Sequence, residues 1–221
     1  MKRILEPEVM DTREEAEAYD AMDFLTVNTA FVERVLELGA CEGRFLDVGT
    51  GPAHIPILLA QRCPQIQMIA IDLSANMLKL GEKHVAEAEL AERISLEQVD
   101  AKHLPYPNLF FDGIISNSII HHLPDPLLAI REISRVSRPG GLILIRDLIR
   151  PQTPEAAQAL VDRYAANDTL YQQKLFYDSL LASLTIPEVE AMLSQFPLHG
   201  AVVVQSSDRH WSIERPTAKS S

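Results

Sequence analysis

The chain has 221 residues, 47% of them hydrophobic and 23% charged, so one core of ordinary size can form without cross-links. A formal net charge of −11 with no Lys/Arg-rich block argues against a nucleic-acid partner, and two cysteines, Cys41 and Cys63, are too few for a disulfide framework. No apolar run reaches the roughly 18 residues of a membrane span, and the start turns acidic at Glu6-Pro7-Glu8 before a signal-peptide core could form, so a cytoplasmic setting is expected.

Residues 11–38 read as helical, with a break near Phe24 to Asn28 and Gly39 as the stop. Strand-like and helix-like segments then alternate. A short buried strand at 44–48 meets a turn at Gly49-Thr50-Gly51-Pro52, which opens a helix over 55–62. Residues 66–71 form a second strand, followed by a helix capped by Ser74 that offers Met77, Leu78, Val85 and Leu90 to the core. A third strand at 94–99 alternates with period two, and Pro105 and Pro107 mark the loop to a fourth at 111–116. Asp125-Pro126 is an N-cap and N1 pair for a helix to Val136. Pro139-Gly140-Gly141 separates that helix from a fifth strand at 142–148. This order predicts parallel strands with crossover helices, a doubly wound α/β sheet.

The remaining segments divide the chain further. Residues 154–183 read as helical and carry Tyr164, Tyr171, Phe176 and Tyr177. Thr185-Ile186-Pro187-Glu188 fits a capping box for a helix to about Gln195. Runs at 201–204 and 209–213 read as a closing hairpin, and the polar residues 216–221 as a frayed end. The expected organisation is one domain. Residues 1–40 form a helical lid, 41–150 a binding core, 151–183 a helical insertion shaping a second pocket, and 184–215 the last helix and hairpin.

Ligands of such sheets lie outside the carboxyl ends of the strands. Glycines at 49 and 51 permit a tight turn and close backbone approach there. Three neighbours argue against a dinucleotide. His54 stands where the third glycine of that fingerprint belongs, Pro52 lacks a donor N–H, and Asp47 would repel a diphosphate. An ammonium-bearing, phosphate-free ligand tolerates that acid. Asp72 ends the second strand, where a carboxylate can accept from both hydroxyls of a ribose, and Asp100 follows the third, within reach of an adenine amino group. Each acid alone reads more readily as a cap or loop residue, but three after successive strands form a series.

Phe45-Leu46-Asp47-Val48-Gly49-Thr50-Gly51-Pro52-Ala53, Ile71-Asp72-Leu73-Ser74-Ala75-Asn76-Met77-Leu78 and Val99-Asp100-Ala101 resemble the motif series of class I S-adenosylmethionine-dependent methyltransferases. Asn117, His121-His122-Leu123-Pro124-Asp125-Pro126 and Arg138-Pro139-Gly140-Gly141 extend the match, closest to the small-molecule branch of ubiquinone and menaquinone biosynthesis. The resemblance implies a Rossmann-like seven-stranded sheet of order 3-2-1-4-5-7-6 with an antiparallel last strand. It also implies S-adenosyl-L-methionine as methyl donor. Gly49 and Gly51 would lie against its methionine portion, Asp72 on the ribose, Leu73 and Met77 beside the adenine, and Asp100 with Ala101 at the polar edge of that ring. Asn117 belongs to the same set, and Tyr19, within Glu15-Ala16-Glu17-Ala18-Tyr19-Asp20, would close over the cofactor. Ala53 departs from the family, which often has glycine there.

Methyl transfer from a sulfonium requires alignment and a dry pocket, which can be worth roughly 7–11 kcal/mol of barrier, and needs a general base only when the acceptor holds a proton. His121 and His122 are the candidates, although one could equally cap the following turn. No HxxxH or CxxC spacing marks a metal site, and none is expected. Asp147, Arg150, Tyr171, Tyr177 and Trp211 are candidate acceptor contacts, with an ion pair or plain core packing as the alternative for each. The acceptor is expected to be a small molecule. A methyltransferase of protein or nucleic acid, and a non-catalytic cofactor-binding protein on the same fold, are the alternatives.

Overall fold

The computed structural model describes residues 1–6, 12–196 and 198–218. Two helices, α1 (Arg13–Asp20) and α2 (Leu25–Glu37), precede an alternating series: β1 (Glu42–Val48), α3 (His54–Arg62), β2 (Gln65–Asp72), α4 (Ala75–Glu87), β3 (Ile94–Gln98), β4 (Phe111–Asn117), α5 (Pro126–Val136) and β5 (Ser137–Leu148). Helices α6 (Pro154–Tyr164), α7 (Leu170–Ala182) and α8 (Ile186–Leu193) follow, then strands β6 (Val202–Gln205) and β7 (His210–Arg215). The strands form one seven-stranded sheet of order β3-β2-β1-β4-β5-β7-β6, in which β7 runs antiparallel to both neighbours. This is the order the family resemblance implies.

Strand parity splits the core into two layers. Phe45, Met68, Ala70, Ile115, Leu142 and Leu144 face α2 and α3, while Leu46, Val48, Ile114, Ile143 and Ile145 face α5 and α8. With both faces covered, the central strands are apolar almost throughout. Helix α5 buries Ala129, Ile130, Ile133 and Val136, the spacing of one helical stripe. Local capping chemistry sets the starts: the Ser74 hydroxyl accepts from Met77 N, and the Asp125 carboxylate accepts from Leu127 N. All four residues expected on the core side of this segment, Met77, Leu78, Val85 and Leu90, are buried.

Four boundaries differ from the sequence reading. The break between the first helices covers only residues 21–24, because Asp23 Oδ1 accepts from Leu25 N and starts α2 there; Asn28 lies inside the helix. Residues 154–183, helical as expected, divide at a boundary the sequence reading did not mark, since Thr169 starts α7 with a capping box. Strand β5 begins at Ser137, so Pro139-Gly140-Gly141 lies within it as a bulge between the Phe111 and Gly113 pairings. There the missing N–H of Pro139 costs no ladder bond, and buried Arg215 donates to the carbonyls of Gly141 and Arg138. Finally, the polar end is partly anchored: Thr217 N donates to Leu38 O and Ala218 N to Gly140 O. Residues 219–221, like residues 7, 8 and 11 named above, lie outside the described residues. Among the described residues no helix is long and apolar enough to cross a membrane.

Trp211 has no exposed surface and sits in the core layer with Ile143, Ile145 and Ile213. Truncation to alanine is expected to cost about 3–5 kcal/mol, read as a lower midpoint in chemical or thermal unfolding. A loss near zero would mean that the indole is not packed as core.

Candidate functional site

A cavity of about 1140 Å³, mouth included, opens at the carboxyl ends of β1, β2 and β4. Its floor is the turn after β1. Gly49 and Gly51 have φ of +75° and +54°, conformations that favour glycine. A Cβ on Gly49 would also lie 2.0 Å from Ile119 Cγ2, so the turn admits no side chain there. Ala53, the departure from the family pattern, takes φ +63° and starts α3 with no side-chain cap. It holds a conformation that costs an L-residue roughly 1–2 kcal/mol.

The acids behave differently from one another. Asp72 braces the turn, Oδ2 accepting from Gly51 N at 2.8 Å and Oδ1 from Ser74 N at 2.9 Å. Each oxygen keeps lone-pair capacity towards the cavity. Burial pushes its carboxyl up, against those backbone donors. Asp47 is 2% exposed, and its Oδ2 has no hydrogen-bond partner among the described residues. Burial, with the Asp72 charge adding to it, raises its pKa to about 7 against the nearby Thr50 hydroxyl, which lowers it. An ammonium group is the chemical partner that such an orphaned carboxylate oxygen lacks. Asp100 is more open; Lys102, through backbone and side chain, holds its carboxyl below the usual range despite partial burial.

All ten residues expected to hold the cofactor line this one cavity: Tyr19, Asp47, Gly49, Gly51, Asp72, Leu73, Met77, Asp100, Ala101 and Asn117. Tyr19 reaches it from α1, its ring 3.9 Å from where a Gly51 Cβ would stand, and burial pushes its phenol up to about 12. Phe24, Asn28, His54, Ile119 and Leu123 also line it, without having been singled out as contacts in the sequence. Phe24 stacks against Tyr19 at 4.9 Å between ring centroids, an arrangement that requires α1 and α2 to fold back on each other.

The histidine pair divides. His122 lines the cavity; His121 is 3% exposed and does not. Asp147 lies beneath the turn that carries them, Oδ1 2.6 Å from His121 Nδ1 and Oδ2 accepting from His121 N at 3.1 Å. Burial alone would lower the His121 pKa, but Asp147 and Glu6 raise it above its ordinary value. Asp147 in turn stays below the carboxylate range: burial pushes it up, but the His121 charge and the hydrogen bonds from His121 and Leu148 N together pull it down. The two rings are 4.2 Å apart, and Glu6 Oε1 lies 3.3 Å from both His121 Nε2 and His122 Nδ1.

The candidate acceptor contacts lie elsewhere. Asp147 is sealed beneath His121, and Trp211 is core. Arg150 spends its two Nη atoms on Ser183 O and Glu188 Oε1, tying β5 to the α7–α8 junction. Tyr177 packs with Leu148, Ala157 and Val161, and Tyr171 is 52% exposed on the first turn of α7. No residue of 151–183 lines the cavity. Its α7 instead packs behind the histidine turn, where Ile4 N donates to Leu181 O and Arg3 to Ala182 O.

The raised Asp47 pKa has a measurable sign. A buried acid whose folded pKa exceeds its unfolded value of 3.8 contributes full stability below that value and loses it as pH rises towards about 7. Asp47→Asn is therefore expected to gain stability relative to the parent across that interval and to hold the gain above it. Calorimetric unfolding at pH 5 and pH 8 reads the difference; a variant equally destabilised at both would show the carboxylate to be well solvated or paired.

Comparison with known proteins agrees with this geometry. Residues 46–145 match the family model described as a methyltransferase domain. A 27-O-demethylrifamycin SV methyltransferase of Amycolatopsis mediterranei is 30% identical over 120 residues, 54% of this chain and 44% of that one. A ubiquinone/menaquinone biosynthesis C-methyltransferase of Geotalea daltonii is 28% identical over 149 residues, 60% of this chain and 63% of that one. The matches thus cover about half the length of these curated relatives. Among solved structures, a SAM-dependent methyltransferase from Aquifex aeolicus superposes with a TM-score of 0.69 over 94% of this chain and 99% of its own, at 20% identity, a likeness of fold. Residues 46–145 thus match a methyltransferase domain, and the chain that carries them is similar to methyltransferases named for small-molecule acceptors.

Proposed function

We propose that the chain binds S-adenosyl-L-methionine in the cavity above β1 and methylates a small molecule. The observation that carries this reading is the convergence of three acids and two glycines on one cavity, with one buried carboxylate oxygen that has no hydrogen-bond partner among the described residues. Asp47 would take the ammonium group, Asp72 the ribose hydroxyls, and Asp100 with Ala101 the adenine edge. Leu73 and Met77 supply apolar surface, and Tyr19 covers the turn. The donor, when bound, supplies a methyl group on a sulfonium for direct in-line displacement.

The chain's own part is placement and proton handling. Phe24, Ile119 and Leu123 give the cavity an apolar wall, and Asn28 and His122 interrupt it with an amide and an imidazole. This combination suits an acceptor with both apolar and polar parts. His122 is the residue placed to take a proton from a hydroxyl or amine acceptor. His121, held by Asp147, fixes the turn that carries it and acts through position.

Calorimetric titration is expected to show S-adenosylmethionine or its demethylated product binding, and Asp72→Asn to weaken that binding by about 1–3 kcal/mol. Absence of binding at millimolar ligand would defeat the proposal. Adding the protein to a small-molecule extract with methyl-labelled donor is expected to label a small molecule; binding without labelling would identify a non-catalytic binder. With the acceptor in hand, His122→Gln is expected to lower kcat by about 10²-fold or more when the acceptor must lose a proton, leaving donor affinity unchanged. An unchanged kcat would show that the imidazole takes no part.

A further inference from the structure

Next to the cavity, which His54 lines, three side chains from three separate elements meet: Asp20 at the end of α1, His54 at the start of α3 and His84 in α4. Their ligand-type atoms all lie within 4.8 Å of one another. His54 Nε2 is 2.9 Å from Asp20 Oδ1, and His84 Nε2 is 3.3 Å from Asp20 Oδ2. We propose that this group is a divalent-metal site, suited to zinc, that fastens α1 to the core.

The hydrogen bonding around His84 supports a cation. Its Nδ1 lies 3.0 Å from the carbonyl oxygen of Pro52, which can only accept, so Nδ1 carries the proton. A neutral ring then presents the lone pair of Nε2 to a carboxylate oxygen, acceptor against acceptor. A positive centre between them removes that conflict, and an imidazole N–H donated to a backbone carbonyl is the usual outer-shell support of a metal-bound histidine. The alternative is one extra proton, on His84 Nε2, which would then donate to Asp20 Oδ2 and stack an imidazolium against a neutral His54 ring, centroids 4.8 Å apart. A metal uses both rings uncharged.

The donor set also suits the ion. Two imidazoles and a carboxylate are zinc ligands, and bonds of about 2.0–2.2 Å bring tetrahedral donors to about 3.4 Å apart. The widest separation must therefore close by about 1.4 Å, which side-chain rotation at these part-exposed positions allows. A fourth position stays open to solvent. The effect falls on the lid. Helix α1 buries only Ala16 fully, and Tyr19, which covers the glycine turn, directly precedes Asp20. The site is independent of the acceptor and of methyl transfer, so it stands or falls separately from the function proposed above.

Metal-stripped full-length protein titrated with zinc against a chromophoric chelator is expected to take up the ion stoichiometrically. Cobalt(II) in its place is expected to give the intense visible bands of four-coordinate geometry. His54→Ala and His84→Ala should each weaken zinc at least as much as the tenfold that loss of an outer-shell partner costs. Zinc should raise the unfolding temperature of the parent but not of these variants. If an alanine variant fails to fold without metal, Asp20→Asn provides the same comparison. Lack of zinc uptake in the micromolar range, or uptake that survives His54→Ala/His84→Ala together, would overturn the proposal. So would loss of zinc on His122→Ala alone, which would move the ion to the Glu6, His121 and His122 group.

Discussion

The cavity exists because β1 ends in a turn whose first residue, Gly49, carries no side chain. Ile119 occupies the space where a Cβ of Gly49 would be, and the same residue shapes the cavity wall. The two facts are linked: strand β4 and the turn after it can close against β1 only if the backbone at position 49 is bare. Once that contact is made, the chain leaves β1 in a left-handed conformation. The peptide N–H of Gly51 is then delivered to Asp72 on the neighbouring strand. One steric requirement thus positions two strands, one carboxylate and the start of α3.

Onto this frame the protein places charge where water cannot solvate it. Asp47 is carried inward by the same strand that ends in the glycines, and its burial is a standing electrostatic cost. A cationic ligand group would relieve it, converting a destabilising feature of the empty cavity into affinity. The second buried carboxylate, Asp147, shows the opposite arrangement: its charge is satisfied internally by His121 and two backbone donors, so it has no call on a ligand. The two residues have the same chemistry and near-identical exposure, and differ in whether the fold supplies a partner.

That difference marks the limit of what the sequence discloses. Helix caps and the acids and glycines that line the cavity were legible because each depends on local signals: an acid after a strand, a glycine pair, a serine before an apolar stripe; the sheet order came from the family resemblance and from no single segment. Asp147 and Trp211 also follow or lie within strands, and period-two patterning places them, but it does not say whether a helix, a turn or a cavity covers that face. They are cross-strand partners on β5 and β7, and both are sealed. Phe24 and Asn28 were hidden for another reason. They reach the cavity only because α1 and α2 fold over the sheet, a long-range event with no spacing to reveal it. The same holds for Asp20, His54 and His84, which are separated by tens of residues and share no motif.

The position of β7 has a consequence for the order of assembly. It is the last strand in order among the described residues, yet it lies between β5 and β6 rather than at an edge. During synthesis, β5 therefore exposes an unpaired, apolar-flanked border until residues 210–215 leave the ribosome, and β6 has nothing to pair with before then. Such a border is a template for adventitious strand pairing. The half of the sheet holding the glycine turn, β3-β2-β1-β4, is complete long before that moment, so the ligand cavity can take shape on a nascent chain whose far side is still open.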